Sequence, residues 1–185
     1  MSHPMVSCAV VFTATEAAAE RLETAVAAIL ASDAYPTNVT TVMRGPSKRL
    51  YRIWVTRCRG LLGRVGIEHK IIEPDRPIRL GDAWNDGIFE SKALWVICGN
   101  LSELEDVRAL VRRIWEAPET GELLVARGGT PAFRWRLWAD KAIKKCGSDG
   151  DRIPGTGGFG RFSVDPVSDF VAFLDESGVK KEMVP

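Results

Sequence analysis

The N-terminal part of the chain contains a short apolar run followed by an amphipathic segment. Residues 7–12 are apolar and rich in β-branched side chains, which is typical of a buried strand. Apolar side chains then recur at helical spacing through residues 22–30, and Thr13 with Glu16 has the spacing of a capping box. The pattern therefore predicts a strand that leads into an amphipathic helix.

The segments that follow predict strands more often than helices. Residues 38–43 are rich in Thr and Val, and residues 48–57 contain Tyr, Ile, Trp and Val. Gly45-Pro46 separates the two, so we expect two strands joined by a short connection. Residues 65–72 predict a further strand, and residues 84–91 predict a short helix.

The same order of elements begins again near residue 93. The expected elements are a strand over residues 93–98, a helix opened by the capping box of Ser102 and Glu105, strands over residues 122–126 and 133–139, and a last helix from Asp165 and Pro166 to Gly178. The second half of the chain thus repeats the predicted order of the first half.

Two short motifs also recur in the same order in the two halves. Val42-Met43-Arg44-Gly45 corresponds to Val125-Ala126-Arg127-Gly128, and Tyr51-Arg52-Ile53-Trp54 corresponds to Trp135-Arg136-Leu137-Trp138. Because the motifs follow matching helices, we interpret the chain as a tandem duplication. The first repeat is residues 1–92 and the second is residues 93–185. Chance recurrence is the alternative.

A βαββ order completed by a second helix predicts an α+β protein in which each repeat is a ferredoxin-like unit. In such units helices cover one face of an antiparallel sheet and leave the other face open. Two open faces can bury each other, so we expect the repeats to pack as an intramolecular pseudo-dimer.

Composition is that of an ordinary globular protein, with 185 residues, 45% hydrophobic and 26% charged. No apolar run is long enough to span a bilayer, and residues 1–5 lack a signal-peptide pattern, so we expect a cytoplasmic protein with no membrane partner. Four widely spaced cysteines and two histidines offer no local ligand set. We therefore expect reduced thiols, no metal and no cofactor.

Basic residues are concentrated in two corresponding segments, although the formal net charge is +1. Residues 44–70 and residues 127–145 are rich in Lys and Arg, and each contains a single acidic residue. Aromatic side chains lie between the cations, which favours phosphate contact combined with base stacking. The predicted nucleic-acid-binding residues are Arg44, Arg49, Arg52, Trp54, Arg57, Arg127, Arg134, Arg136, Trp138 and Lys141.

These residues favour a non-enzymatic protein that binds RNA or a single strand through basic, aromatic hairpins. Strand alternation would place Arg52 beside Trp54, and Arg136 beside Trp138, on the open face of each sheet. A purely structural alternative packs each Trp between the repeats against an Arg. Two functional alternatives are a protein–protein interaction module (an inhibitor, an immunity-type partner or an assembly component) and a small-molecule enzyme with its pocket between the two sheets.

Three further patterns do not identify a reaction. Residues 155–160 match GxGxxG but lack the flanking strand and helix of a dinucleotide site, so we expect a surface loop, with a phosphate-binding nest as the alternative. Asp82, Asp86 and Glu90 share one helical face. A solvent-exposed helix surface explains this spacing as well as a catalytic or metal site built from carboxylates does. His69 has no identifiable acidic partner, so no catalytic triad and no catalytic residue is assigned.

Overall fold

Strands and helices alternate along most of the chain in this computed structural model, which describes residues 6–46, 49–119, 121–139 and 166–185. The strands are β1 (Cys8–Ala14), β2 (Asn38–Met43), β3 (Glu68–Ile72), β4 (Trp95–Cys98), β5 (Leu123–Ala126), β6 (Pro131–Arg134) and β7 (Lys181–Val184). The helices are α1 (Ala19–Leu30), α2 (Arg49–Gly63), α3 (Leu80–Ser91), α4 (Leu104–Glu116), α5 (Trp135–Leu137) and α6 (Pro166–Glu176).

The described strands form one mixed sheet in the order β3-β2-β1-β4-β6-β5-β7. β1 pairs in parallel with both β2 and β4, and β2 pairs in parallel with β3. β6 is antiparallel to β4 and β5, whereas β7 is parallel to β5. All of these strands except β6 therefore point their carboxyl ends to the same edge of the sheet, which we call the carboxyl edge.

Helices cover both faces of this sheet. Side chains of α1, α2 and α4 pack on the first face with residues such as Val10 and Phe12. Side chains of α3 and α6 pack on the second face with residues such as Val11 and Val96. Val10 and Val11 thus contribute to different cores, which is what a strand buried on both faces requires.

The predicted tandem duplication of ferredoxin-like units, with antiparallel sheets and helices on one face, is wrong. β1 and β4, which the prediction assigned to different repeats, are adjacent parallel strands of one sheet. Helices connect β1, β2, β3 and β4 in turn, and a parallel pair requires such a crossover connection. The boundary near residue 92 falls between α3 and β4, and the sheet continues across it.

The strand expected over residues 48–57 is also wrong, because residues 49–63 form α2. The buried side chains Val55, Cys58 and Leu62 follow one another at intervals of three and four residues, the spacing of a helix face. Ile53, which belongs to this segment, is 56% exposed. The β-branched and aromatic content of this segment favoured a strand. In the structure, however, the segment is a helix that packs against α1 and β3.

Most other expected elements are confirmed with shifted ends. β2 covers residues 38–43 as expected, and β3, β4 and β5 lie within their expected segments. Neither capping box forms, because Thr13 belongs to β1 and the N-cap of α4 is Glu103. Residues 133–139 are divided between β6 and α5, and β7 has no counterpart among the expected elements.

The expectations drawn from composition concern membranes and cysteines. Within the described ranges no helix is long and apolar enough to cross a bilayer, and the cytoplasmic location stays a prediction. Cys8, Cys58 and Cys98 are buried thiols, and Cys146 lies outside the described residues. Burial raises the pKa of Cys8 to about 12 and that of Cys58 to about 11, and it also raises the pKa of Cys98. These three thiols therefore behave as core residues rather than as nucleophiles.

Candidate functional site

The connections at the carboxyl edge form the candidate site. From β1 the chain moves outward to β2 and β3, and then returns through α3 to β4 on the other side of β1. The loops after β1 and β4 therefore diverge, and open α/β sheets bind ligands in the crevice at such a switch point. The residues bordering this crevice directly after β1, β2 and β4 include Thr15, Arg44, Gly99 and Asn100.

Arg44 is fixed at the end of β2 by its backbone. Its N–H donates to the carbonyl of Ala14 at 2.9 Å, and its carbonyl accepts from the N–H of Ile78 at 3.1 Å. The side-chain Nε is buried and has no hydrogen-bond partner. A guanidinium stays charged and its N–H groups fit phosphate oxygens in a fork. The backbone of Arg44 is therefore fixed beside the switch point, and its side chain carries a buried donor without a hydrogen-bond partner.

A tight turn follows β4 and presents no acidic side chain at its start. Gly99 donates its N–H to the carbonyl of Val11 at 2.8 Å, and a Cβ at this position would lie 2.4 Å from a ring carbon of Phe12. The side-chain Oδ1 of Asn100 accepts from the N–H of Ser102 at 2.9 Å, as in an Asx-turn. A glycine is therefore needed for packing, and the Asn100 oxygen is engaged within the turn.

Asp106 holds the turn between β5 and β6 at the same edge. Its carboxylate accepts from the N–H groups of Gly128 at 3.2 Å and Thr130 at 3.3 Å. A Cβ at Gly128 would lie 2.6 Å from Oδ2 of Asp106, so the turn touches the start of α4 closely. The hydroxyl oxygen of Thr130 is buried without a partner. Asp106 is thus a structural residue that shapes the side of the crevice away from β2, and the sequence pattern gave no signal of this role.

The predicted binding residues on α2 do not form a shared binding face. Arg52 and Arg57 form ion pairs at the surface, with Glu73 at 3.1 Å and with Glu23 at 3.5 Å. Trp54 packs against the first-face core, and the guanidinium carbon of Arg57 lies 5.6 Å from its ring centroid. The side chains of Arg52, Trp54 and Arg57 therefore contact other protein groups.

Two predicted residues of the second basic segment lie in the protein interior. Trp138 is 3% exposed in the second-face core, and its Nε1 donates to Oδ1 of Asn85 at 3.4 Å. Arg134 is 8% exposed, donates to the carbonyl of Pro118, and lies 4.4 Å from the ring centroid of Trp95. Burial lowers the pKa of Arg134. Both side chains are buried, but neither lies between two repeats as the structural alternative expects, and the aromatic partner of Arg134 is Trp95.

The remaining described residues of that prediction lie at opposite edges. Arg136 is exposed and forms an ion pair with Glu122 at 2.6 Å. Arg127 follows β5 and is exposed at the carboxyl edge. Arg44 and Arg127 end strands at that edge, but three strands separate β2 from β5, a distance of about 19 Å. Arg49 is the first residue of α2. Among the described residues of the predicted set, Arg44 is the one that directly follows a strand paired with β1.

The acidic residues of α3 belong to no group of three metal-ligating side chains within the part of the chain that the structure describes. Asp82 lies in the first turn of α3, and Asp86 is exposed further along. Among the residues that the structure describes, no group of three His, Cys, Asp or Glu side chains could hold a metal ion. Lys141 and the glycine loop at residues 155–160 lie outside the described residues. The phosphate-binding role of that loop stays a prediction.

His69 is a buried titratable residue away from the carboxyl edge. Its side chain is on β3, is 6% exposed, and places Nε2 at 2.9 Å from the hydroxyl of Thr41. Nδ1 is buried without a partner. Burial lowers the pKa of His69 to about 4, and the charge of Arg59 adds to this shift. The imidazole is therefore neutral at pH 7 and pairs with a hydroxyl group rather than with an acid.

A groove of about 430 Å³ lies at the opposite edge, near the amino ends of β2 and β3. Its lining includes Tyr35, Val65, Gly66 and Trp115. The indole Nε1 of Trp115 donates to the carbonyl of Tyr35 at 2.9 Å. This groove is far from the switch point, and none of the predicted binding residues lines it.

Comparison with known proteins identifies the fold. No protein-family model matches the chain, and no curated protein matches it in sequence. The crystal structure of GalNAc-T7 with UDP, GalNAc and Mn²⁺ aligns with a TM-score of 0.67 at 11% identity, covering 100% of this chain and 43% of that chain. This chain therefore spans less than half of the GalNAc-T7 chain.

Two other solved structures match over most of their own length. The 4-diphosphocytidyl-2C-methyl-D-erythritol synthase of Anaerococcus prevotii aligns with a TM-score of 0.62 at 8% identity, covering 97% of this chain and 86% of that chain. A nucleotidyl transferase from Methanothermobacter thermautotrophicus aligns with a TM-score of 0.57 at 14% identity, covering 98% of this chain and 88% of that chain. The fold is that of nucleotide-diphospho-sugar transferases and nucleotidyltransferases.

The interpretation of the chain as a non-enzymatic nucleic-acid-binding protein is therefore wrong. The first basic hairpin does not form, because its second strand is replaced by α2. In the second, β5 and β6 do pair in antiparallel fashion, but residues 135–137 leave the sheet as α5. The structures that share the fold include a diphosphocytidyl-methylerythritol synthase and a nucleotidyl transferase. A pocket between two sheets is excluded as well, because the described strands form a single sheet.

Proposed function

We propose that this chain is the nucleotide-binding domain of a transferase, and that it binds the nucleoside diphosphate part of an activated donor in the crevice between β1 and β4. The observation that supports this most is the position of Arg44 beside the switch point of the sheet. The crystal structure of GalNAc-T7 contains UDP, and the two other matches are a diphosphocytidyl-methylerythritol synthase and a nucleotidyl transferase.

The geometry suits phosphate recognition for two reasons. The backbone of Arg44 is anchored to Ala14 of β1 and to Ile78 of the loop before α3, so the start of its side chain is held next to β1. Its buried Nε lacks a partner, and an orphaned donor costs about 1–3 kcal/mol until an acceptor reaches it. Phosphate oxygens, like carboxylate oxygens, can accept two parallel N–H bonds from an arginine fork.

The Mn²⁺ of the GalNAc-T7 structure raises the question of a metal in this chain. Ions of this class prefer carboxylate, carbonyl and water oxygens. Among the described residues, no group of three Asp, Glu, His or Cys side chains could hold such an ion. The turn after β4 begins with Gly99 and Asn100 instead of acids. We therefore assign no step of the reaction to a metal ion.

Isothermal titration calorimetry with UDP, CDP, ADP and GDP tests the proposal. We expect at least one nucleoside diphosphate to bind the wild-type chain, and Arg44→Gln to weaken that binding by about tenfold or more, since hydrogen bonds to charged groups contribute about 1.5–3 kcal/mol. Arg52→Gln is the matched control, because Arg52 forms an exposed ion pair on α2. Absence of binding for all four nucleotides overturns the proposal.

A further inference from the structure

Helix α2 carries positive charge and no acidic residue of its own. Its residues 49–63 include four arginines and neither Asp nor Glu, and Arg64 follows directly in the chain. A basic amphipathic helix is typical of proteins that bind a membrane surface. We infer that α2 is a docking surface for an anionic phospholipid bilayer. This partner lies beyond the proposed function and does not depend on it.

One side of α2 is attached to the protein, and the opposite side faces outward. The buried side chains that attach it to the first-face core are Val55, Cys58 and Leu62. Ile53, Arg57 and Arg64 follow one another at intervals of four and seven residues, so they share the opposite side of the helix. All three are exposed. The outward side of α2 therefore combines two cations with an apolar residue.

The exposed apolar side chains favour a bilayer over a polyanion dissolved in water. Ile53 is 56% exposed on the outward side, and Val65 is 44% exposed in the turn that follows α2. At the boundary between headgroups and acyl chains, cations meet lipid phosphates while apolar side chains insert beside them. Base stacking has no comparable support here, because Trp54 packs against the first-face core.

The arginines of this surface are accessible to lipid phosphates. Arg59 and Arg64 are exposed and take part in none of the ion pairs between described residues. Arg52 and Arg57 pair with Glu73 and Glu23, but their side chains remain 65% and 63% exposed. Exposed ion pairs contribute little to stability, so phosphate groups can replace these carboxylates.

The inference concerns the surface of a membrane and not its interior. Within the described ranges no helix is long and apolar enough to cross a bilayer. The 15 residues of α2 form a helix about 22 Å long, which would lie flat on the headgroups. The expectation of no membrane partner was based on the lack of a spanning segment, and that observation does not bear on surface binding.

Vesicle co-sedimentation tests the inference. Wild-type protein is mixed with vesicles of phosphatidylcholine alone, and with vesicles in which about 30% of the lipid is phosphatidylglycerol. We expect binding to the anionic vesicles in about 0.05 M NaCl and an affinity at least about tenfold lower in about 0.5 M NaCl, because salt screens the attraction. Phosphatidylcholine vesicles should retain little protein in either buffer.

Variants show whether α2 is the surface that binds. Arg59→Gln combined with Arg64→Gln should lower the affinity for anionic vesicles about 25-fold, since each arginine near such a surface contributes about fivefold. Arg127→Gln combined with Arg136→Gln makes the same change in net charge at exposed residues outside α2, and should lower it less than about threefold. Ile53→Ser should lower it about threefold or more, because less apolar surface is buried. The thermal midpoint of each variant confirms that it is folded.

The outcomes that contradict the inference are specific. Equal retention by the two kinds of vesicle at low salt overturns it. An equal loss of affinity in the two double variants contradicts the assignment to α2, and unchanged binding by Ile53→Ser contradicts the apolar contact with the bilayer. Wild-type protein that binds a single-stranded oligonucleotide but no anionic vesicle also overturns the inference. The nucleotide titrations test the proposed function separately, so the two can fail independently.

Discussion

Replacing Gly87 by alanine should destabilise the protein because α3 lies directly on the sheet at this residue. A Cβ at Gly87 would lie 2.4 Å from Cγ1 of Val11 and 2.8 Å from Cγ2 of Val42, and both valines are fully buried. Carbon atoms in contact are normally about 3.5–4.0 Å apart, so α3 or the valines must move by about 1 Å. Overpacking of this kind costs about 1–3 kcal/mol of folding stability.

Gly60→Ala is the matched control, because Gly60 is an exposed residue of α2 and a Cβ there meets no atom within 4 Å. Alanine is favoured over glycine in a helix by about 1 kcal/mol, and this gain applies to both variants. The two free energies of unfolding should therefore differ by the cost of the clash, about 1–3 kcal/mol, with Gly60→Ala the more stable.

Urea unfolding followed by tryptophan fluorescence and circular dichroism measures that difference. Val11→Ala in the Gly87→Ala background provides a second check, since the two substitutions occur in contacting residues and should not be additive. If Gly87→Ala is as stable as Gly60→Ala, the close packing of α3 on β1 and β2 is incorrect, and the strand order that creates the switch point loses its support.

The remaining predictions concern stability. His69 should make the protein less stable as the pH falls from 6.5 to 4, because folding lowers its pKa from 6.5 to about 4 and the unfolded chain therefore binds a proton first. In urea titrations at different pH values, His69→Gln should remove about 3 kcal/mol of this pH dependence. Asp106→Ala should lower stability by about 2–4 kcal/mol, since two N–H groups lose their acceptor, whereas Glu105→Ala at an exposed ion pair should change it by less than about 1 kcal/mol. Trp138→Ala should cost about 3–5 kcal/mol in thermal or urea unfolding, whereas Arg136→Ala should cost less than about 1 kcal/mol.

Individual helices and strands could be predicted from the sequence where the residue pattern clearly favours one type of element. Every residue of β2 is buried, and its run of Thr and Val predicted a strand with correct ends. α4 has a clear apolar stripe that includes Val107, Leu110 and Ile114, and its helix was expected. α2 was missed because its β-branched and aromatic residues favour strands, although Val55, Cys58 and Leu62 follow a helical period. A test of periodicity before propensity would have found it.

The recurring motifs reflect similar local connections rather than a duplicated domain. Val42-Met43-Arg44-Gly45 and Val125-Ala126-Arg127-Gly128 both end a strand at the carboxyl edge. Tyr51-Arg52-Ile53-Trp54 lies in α2, and Trp135-Arg136-Leu137-Trp138 covers α5 and its C-cap. A fold that alternates strands and helices repeats such contexts, so matching short motifs are weak evidence for duplication.

The candidate site depended on information that the sequence patterns do not contain. Arg44 was among the predicted residues, but its predicted role was to contact nucleic acid from a hairpin. Its role beside a crevice follows from the pairing of β1 with both β2 and β4, which are distant in sequence. Asp106 and Gly99 were missed because each contacts a residue that is distant in the sequence. Asp106 contacts Gly128, and Gly99 contacts Phe12.

A crystal structure of the protein soaked with UDP tests the central claim most directly. We expect the diphosphate to lie at the carboxyl ends of β1 and β4, with a phosphate oxygen within about 3 Å of the guanidinium nitrogens of Arg44. UDP bound in the groove beside Tyr35 and Trp115, or bound at the carboxyl edge without contact to Arg44, would contradict the account.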